Sequence, residues 1–580
     1  MTEKIKQTLR DSKRARWIAL IILSFTMFAG YLFNEIISPL KPLIDTDPSF
    51  GWDGSDFGMF FSAYGWFNVF LVMLLIVGFL LDKLGIRFST ISSALLMIIG
   101  AGIKYYAFKT DMGDAEIFGY NARLITACFG FALFGVGVEY AGITVSKAII
   151  KWFKGKEIAL AMGMQVAIAR LGSFVPLMFG AYFANITSIG TTVLMGVLFL
   201  IIGFLGFLVY NVMDSKLDKQ VKDAVTTGAE EEKFKLSDMR VIISNRGFWL
   251  IAILCVLFYS AVFPFYKYGP DLMVNKFGVS DKWSGLIPSI VPFGTIFLTP
   301  FFGGIYDRKG KGATIMIIGA LFLIIVHFIY WFPSITNMYV AFANAVLLGI
   351  GFSLVPSAMW PSVPKIIPEK QIGSAFALIF WIQNFGLWGI PLLVGIVLNI
   401  TNPTIVPDKE LIQESFREQY TETISDSPLM GKQVSKKEKL NSDNLDFFSR
   451  IASRDLISNI VSVAPQKEVV EVDTVQIAQE ISTETKAFLA TYLSDSLDIK
   501  NLNELNKENN NIALEKLNNA LIKHITNIVA DNKIKLNYNY QTTWLIFVAC
   551  TILALLVAFW LKYEDKRKGY GLEKPNIEKQ

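Results

Sequence analysis

Gly78-Phe79-Leu80-Leu81-Asp82-Lys83-Leu84-Gly85-Ile86-Arg87 and Gly303-Gly304-Ile305-Tyr306-Asp307-Arg308-Lys309-Gly310-Lys311 are two copies of one pattern. In each, a glycine closes an apolar run and an aspartate stands four residues on. A basic residue, a second glycine and a further basic residue follow. Each copy comes after the second apolar block of a group of blocks, so the chain reads as two related halves. Asp82 or Asp307 at a helix end can pair with a neighbouring arginine or accept from a helix N-terminus. The glycines permit close helix approach. Gly78, Asp82, Lys83, Gly85, Arg87, Gly303, Asp307 and Arg308 are therefore expected to form a gate on one face, while their basic members also help fix topology.

Outward from these loops the chain is built of apolar blocks. They lie near 17–40, 57–81, 87–108, 120–150, 157–184 and 189–212, then near 247–273, 283–306, 313–332, 338–364, 372–399 and 542–562. Each reaches the length of about 20 residues that a bilayer crossing requires. The 580 residues are 53% apolar and only 18% charged, with a mean hydropathy of +0.45. A soluble domain carries about 25% charge, so a string of soluble domains is excluded. The first block is too long for a signal-peptide core and has no small-residue cleavage site. All three cysteines, Cys128, Cys255 and Cys550, fall inside apolar blocks and there are only two histidines, so neither a disulfide scaffold nor a cysteine-based metal centre is expected. The Gly-x-x-x-x-Gly-Lys-Ser/Thr phosphate loop is missing, and no Ser/His/Asp or metal cluster appears. A cofactor and an enzymatic role are not expected, and the net charge of +5 concerns topology, not nucleic acid.

The fold class read from this is an all-α membrane protein of twelve transmembrane helices in two six-helix bundles. Residues 1–212 form the first bundle, 213–245 a Lys/Glu/Asp-rich linker, 246–399 with 542–562 the second bundle, and 563–580 a tail. A polar, net acidic segment, 400–541, interrupts the chain between helices 11 and 12. Its run Ile512, Leu517, Leu521, Ile525 and Ile528 has helical spacing, so a mostly helical extracytoplasmic insert is expected.

Six helices, a charged loop, six helices and two copies of the signature loop resemble the major facilitator superfamily. Short loops bearing Lys83 and Arg87, Lys151, Lys154 and Lys156, Arg308, Lys309 and Lys311, and Lys365 and Lys370 alternate with loops bearing Asp45, Asp47, Asp53 and Asp56. By the excess of basic residues on the cytoplasmic side, both termini are cytoplasmic.

Ionisable side chains in the bilayer core are functional candidates by default. Glu139 in helix 4 lies 15 residues before Lys154, and Arg170 in helix 5 lies 16 after it. At about 1.5 Å per residue, both sit roughly 20 Å from the loop, near mid-membrane. Two antiparallel neighbours thus set opposite charges at one depth. Either they close a structural ion pair, or they face the central cavity and take a ligand amine at Glu139 and a ligand carboxylate at Arg170, whose planar fork suits bidentate contact. A zwitterion satisfies both at once; a sugar does not. Other polar residues enter the blocks and complete the candidate substrate-binding set: Tyr31, Asn34, Tyr64, Trp66, Asn68, Gln165, Tyr266, Trp360, Trp381, Gln383 and Asn384. Lys267 reads as a snorkelling side chain near the outer end of helix 7, Glu35 as lying near the outer mouth, and His327 as packing.

The stretches Glu139-Tyr140-Ala141-Gly142, Lys151 to Glu157, Ala169-Arg170-Leu171-Gly172-Ser173, Trp360-Pro361, and Ile367 to Ala375 with Gln383-Asn384-Phe385-Gly386 resemble the lysosomal dipeptide-carrier branch of the superfamily and its prokaryotic relatives. The resemblance implies a secondary transporter that moves dipeptides or short peptides by alternating access in the cytoplasmic (inner) membrane of a bacterium, as a monomer, with the bilayer and a small zwitterionic substrate as its partners. Glu139 and Arg170 fall on that branch's motif positions; the 400–541 insert departs from it. The runner-up is a proton-coupled carrier of amino acids or small organic acids, since Arg170 alone can hold a carboxylate, and proton coupling stays open beside facilitated diffusion. A non-transporting sensor or scaffold using the insert is a third class.

Overall fold

A computed structural model describes residues 9–224, 236–403 and 538–575, except 46, 48, 114, 154, 155, 369 and 370, together with Ala520. The chain divides into two units: Met1–Leu43, Trp52–Thr401 and Asn539–Gln580 form the first, and Ile44–Gly51 with Asn402–Tyr538 the second. The expected insert over 400–541 lies almost wholly outside the described residues. The helical bundles belong to the first unit.

The described helices are α1 (Lys13–Glu35), α2 (Lys41–Asp45), α3 (Gly54–Ala63), α4 (Trp66–Phe70), α5 (Met73–Lys109), α6 (Ala122–Phe153), α7 (Ile158–Ile186), α8 (Ile189–Ala224), α9 (Leu236–Ile243), α10 (Arg246–Phe277), α11 (Leu286–Lys309), α12 (Gly312–Trp331), α13 (Met338–Ile366), α14 (Ile372–Thr401) and α15 (Gln541–Lys568). Among the described residues, eleven helices are long and apolar enough to cross a bilayer. The twelfth crossing, the second in chain order, is made of pieces. It opens on a capping box in which Asp53 accepts from the Asp56 amide at 2.9 Å and Asp56 accepts from the Asp53 amide at 3.1 Å. It breaks after Ala63 and again at Val72, whose φ is 53°. It then runs into the third crossing through Gly85 (φ 82°), where the signature loop turns the chain.

Two further boundaries differ from the sequence reading. The helix expected to stop at 212 continues as α8 to Ala224, because Asp214 and Asp218 are held by basic residues of neighbouring helices. Lys151 reaches Asp214 at 2.8 Å and Asp218 at 2.6 Å, and Arg87 reaches Asp218 at 3.2 Å. The last helix continues to Lys568, and the tail behind it folds back. Glu573 accepts from the Thr314 amide at the start of α12 (2.9 Å), and Lys365 donates to the Lys574 carbonyl (2.8 Å).

The face where α1 begins and α15 ends is here the terminal face; the opposite one is the distal face. Across the middle, α3 packs on α14 and α7 on α11, joining the two halves. The α3–α14 approach is set by small residues. A Cβ on Gly395 would lie 2.4 Å from the Gly54 carbonyl oxygen and 2.5 Å from Gly58 Cα, closer than any side chain tolerates. Gly395→Val is therefore expected to part the halves on the distal side. Maleimide labelling of a cysteine placed at Phe61, buried in this structure, should rise several-fold. Unchanged labelling would show that the helices do not approach this closely.

Candidate functional site

The break in the second crossing builds the site. It presents the Tyr64 backbone to α6, where a Cβ on Gly135 would lie 2.3 Å from the Tyr64 carbonyl oxygen. One helical turn beyond Gly135 on the same face of α6 is Glu139. The Tyr64 hydroxyl donates to Glu139 Oε1 at 2.8 Å. Arg170 projects from α7 onto the second half: its Cζ stands 4.9 Å from the centre of the Phe352 ring on α13 and 5.9 Å from Phe263 on α10. Its Nη1 is buried without a hydrogen-bond partner. Among the described residues no ion pair joins Arg170 to Glu139. Tyr31 on α1 lies within the field of Arg170, Glu139 and Glu35 together. Tyr266 is fully buried and its hydroxyl has no partner.

The remaining candidates divide by what they touch. Asn34 donates to Glu35 Oε1 (2.7 Å) and leaves its own Oδ1 unpaired. Asn68 donates to Asn384 Oδ1 (3.4 Å) and Trp381 donates to the Val69 carbonyl (3.4 Å), both across the two halves. Trp66 donates to Ser62 of its own crossing, Gln383 accepts from Cys255, and Trp360 donates to the Tyr259 hydroxyl. These three are engaged within their own halves. Gln165 is buried on α7. Of the expected gate, the Asp82 side chain lies outside the described residues. Arg87 is held by Asp218 and, at 3.9 Å, Asp214. Lys83 and Arg308 are exposed, and Gly78, Gly85, Gly303 and Asp307 are half-buried. His327 packs, its ring stacked 5.4 Å from Phe547.

Sequence reading missed a second layer on the distal side. Lys267 does not snorkel: its Nζ is buried and donates to Glu35 Oε2 at 3.0 Å and to the Asn34 carbonyl at 2.8 Å. Glu35 is likewise 2% exposed, not at an open mouth. Beside this pair, Lys41 and Asp271, 0% and 1% exposed as side chains, meet at 2.7 Å. The two pairs run in opposite senses, acid to base and base to acid, across the two halves. Ser284 adds a bond to the Pro39 carbonyl (3.0 Å), and Asn399 one to Asp53 (2.9 Å). The distal side is closed by these contacts. Lys104 on α5 was also missed. It is fully buried, with its Nζ 4.2, 4.6 and 5.3 Å from the ring centres of Phe131, Phe33 and Phe60. Three phenyl faces hold an ammonium this way by cation–π attraction. A lysine inside block 87–108 was the available signal.

Two halves of membrane-crossing helices, closed on one side and enclosing a half-buried acid and a half-buried arginine whose Nη1 has no partner, define a multi-pass carrier. A family profile described as the Major Facilitator Superfamily matches residues 23–390. The chain belongs to that superfamily and is a multi-pass membrane transporter of it. It is similar to the human lysosomal dipeptide transporter MFSD1, with 29% identity over 396 residues, covering 66% of this chain and 80% of that protein. It is similar over a shorter stretch to the Escherichia coli K12 inner membrane transport protein YdiN, at 25% identity over 27% of this chain and 37% of that one. In structure it resembles the nucleoside transporter NupG, with a TM-score of 0.51 at 14% identity, over 66% of this chain and 91% of the other. That likeness concerns the fold alone.

Proposed function

We propose that the protein moves dipeptides and similar short peptides across the cytoplasmic membrane by alternating access, with the ligand ammonium at Glu139 and the ligand carboxylate at Arg170. One observation carries the reading: Arg170 Nη1 is buried without a partner, although an acid stands on the adjoining helix. A buried charge left without compensation is costly, so the site is built for a group that arrives from outside. Glu139 keeps one oxygen for Tyr64 and has the other for an amine. The similarity to a dipeptide transporter supports the same cargo. Both termini lie in the cytoplasm, and the signature loops at Gly78–Arg87 and Gly303–Arg308 turn the chain at the gate on that side.

Thermal-shift titration of the purified protein tests this. A dipeptide at 100 times its dissociation constant should stabilise it by about 2.7 kcal/mol. An N-acetylated dipeptide and a dipeptide amide, each lacking one charge, should bind at least tenfold more weakly. Organic acids binding as tightly as dipeptides would replace this reading with an acid carrier. Counterflow in liposomes with and without a pH gradient then separates proton coupling from facilitated diffusion.

A further inference from the structure

We propose that Tyr266 completes the carboxylate site from the second half, so that one ligand carboxylate is clamped by Arg170 of the first bundle and Tyr266 of the second. This rests on the reading of Arg170 as a carboxylate receptor and adds a partner to it.

Arg170 and Tyr266 come from different halves, on α7 and α10, yet they share the same two neighbours. Arg170 lies 5.9 Å from the Phe263 ring centre and 4.9 Å from that of Phe352. The Tyr266 ring lies 6.0 Å from Phe263, meeting it edge-on, and 6.3 Å from Phe352. Phe263 and Phe352 themselves meet edge-on at 6.0 Å. Tyr266 lies within the field of the Arg170 charge. Both side chains end in a buried donor with no acceptor: Nη1 of Arg170 and the hydroxyl of Tyr266.

Two orphaned donors beside one pair of phenyl rings describe a site for an acceptor with two oxygens. Each unsatisfied donor is a desolvated group awaiting a partner. A carboxylate supplies one oxygen to each, and the flat aromatic walls keep water from competing. An amide keeps one oxygen acceptor but carries no charge and puts an NH₂ where the second oxygen belongs, so the clamp selects the free acid. Because the donors belong to opposite halves, the ligand joins the halves where a lone arginine would only hold it on one.

Tyr266→Phe removes the hydroxyl and keeps the ring. A dipeptide with a free C-terminus is expected to lose about tenfold in affinity, which is 1.4 kcal/mol. The corresponding dipeptide amide should bind mutant and wild type alike. Since the hydroxyl has no partner to lose, the unliganded mutant should melt no lower than wild type, which separates loss of a ligand contact from misfolding. Equal affinity of mutant and wild type for the free acid overturns the clamp, as does an equal loss for acid and amide. If the wild type binds an N-acetyl amino acid as well as a dipeptide and Tyr266→Phe still weakens it tenfold, the clamp stands and the zwitterion reading falls.

Discussion

Glu35→Gln is expected to cost about 3–5 kcal/mol, the usual penalty for removing one partner of a buried ion pair. Glu35 accepts from Lys267 (3.0 Å), Ser38 (3.1 Å) and Asn34 (2.7 Å). Glutamine keeps one acceptor and loses the charge. The Lys267 ammonium is then left between the Phe61 and Phe131 rings with carbonyl and amide oxygens only. Lys104, 4.2 Å from the centre of the same Phe131 ring and within the field of Glu35, loses its nearby negative charge as well. Chemical unfolding in detergent measures the loss. Removing both charges with Glu35→Leu and Lys267→Met should recover most of it, because the penalty belongs to the stranded charge and not to the missing bond. A loss below about 1 kcal/mol for the single change, the range of exposed pairs, would show that water reaches the pair. A double variant as unstable as the single would show that the two side chains do not meet.

Arg170→Lys is expected to lower dipeptide uptake about a hundredfold while leaving the unliganded protein as stable as before. Hydrogen bonds to a charged group are worth about 1.5–3 kcal/mol each, and the bidentate contact loses at least one of its two. A lysine keeps the charge but not the planar fork that lies against Phe352 and Phe263. Stability should change little because Nη1 has no hydrogen-bond partner to lose and a lysine ammonium can keep a cation–π contact with the same rings. Counterflow with a labelled dipeptide reads the first part and a melting curve the second. Uptake within about threefold of wild type would remove Arg170 from the binding site, since threefold is well under the 1.4 kcal/mol of one tenfold step.

The bundles were legible because a bilayer imposes length and apolarity on every crossing, and the duplicated signature loop marked the halves. The broken second crossing was not. Ser62, Tyr64, Gly65 and Asn68 interrupt the apolar run in 57–81, but without a proline they do not mark a break; the packing of α3 and α4 against α14 and α6 accompanies it, and only the folded chain supplies that. Glu139 and Arg170 were visible in the sequence as candidates because a charge at mid-block stands out. Lys104 stands out equally, but the phenyl faces that tolerate it come from Phe33 on α1, Phe60 on α3 and Phe131 on α6, which no local pattern brings together. Lys41 and Asp271 are 230 residues apart, and each sits near a block end, where a charge ordinarily reads as loop. Phe263 and Phe352 stand in apolar runs of α10 and α13, and their place beside Arg170 emerges only in the folded chain.

The two crossed ion pairs give each half one acid and one base: Glu35 and Lys41 on one side, Lys267 and Asp271 on the other. Whatever motion separates them carries no net charge with either partner. A single charge moved through 100 mV exchanges about 2.3 kcal/mol with the electric field, but here the contributions cancel within each half. These two pairs are therefore electrically neutral within each half, and a membrane voltage does little net work on them as they part.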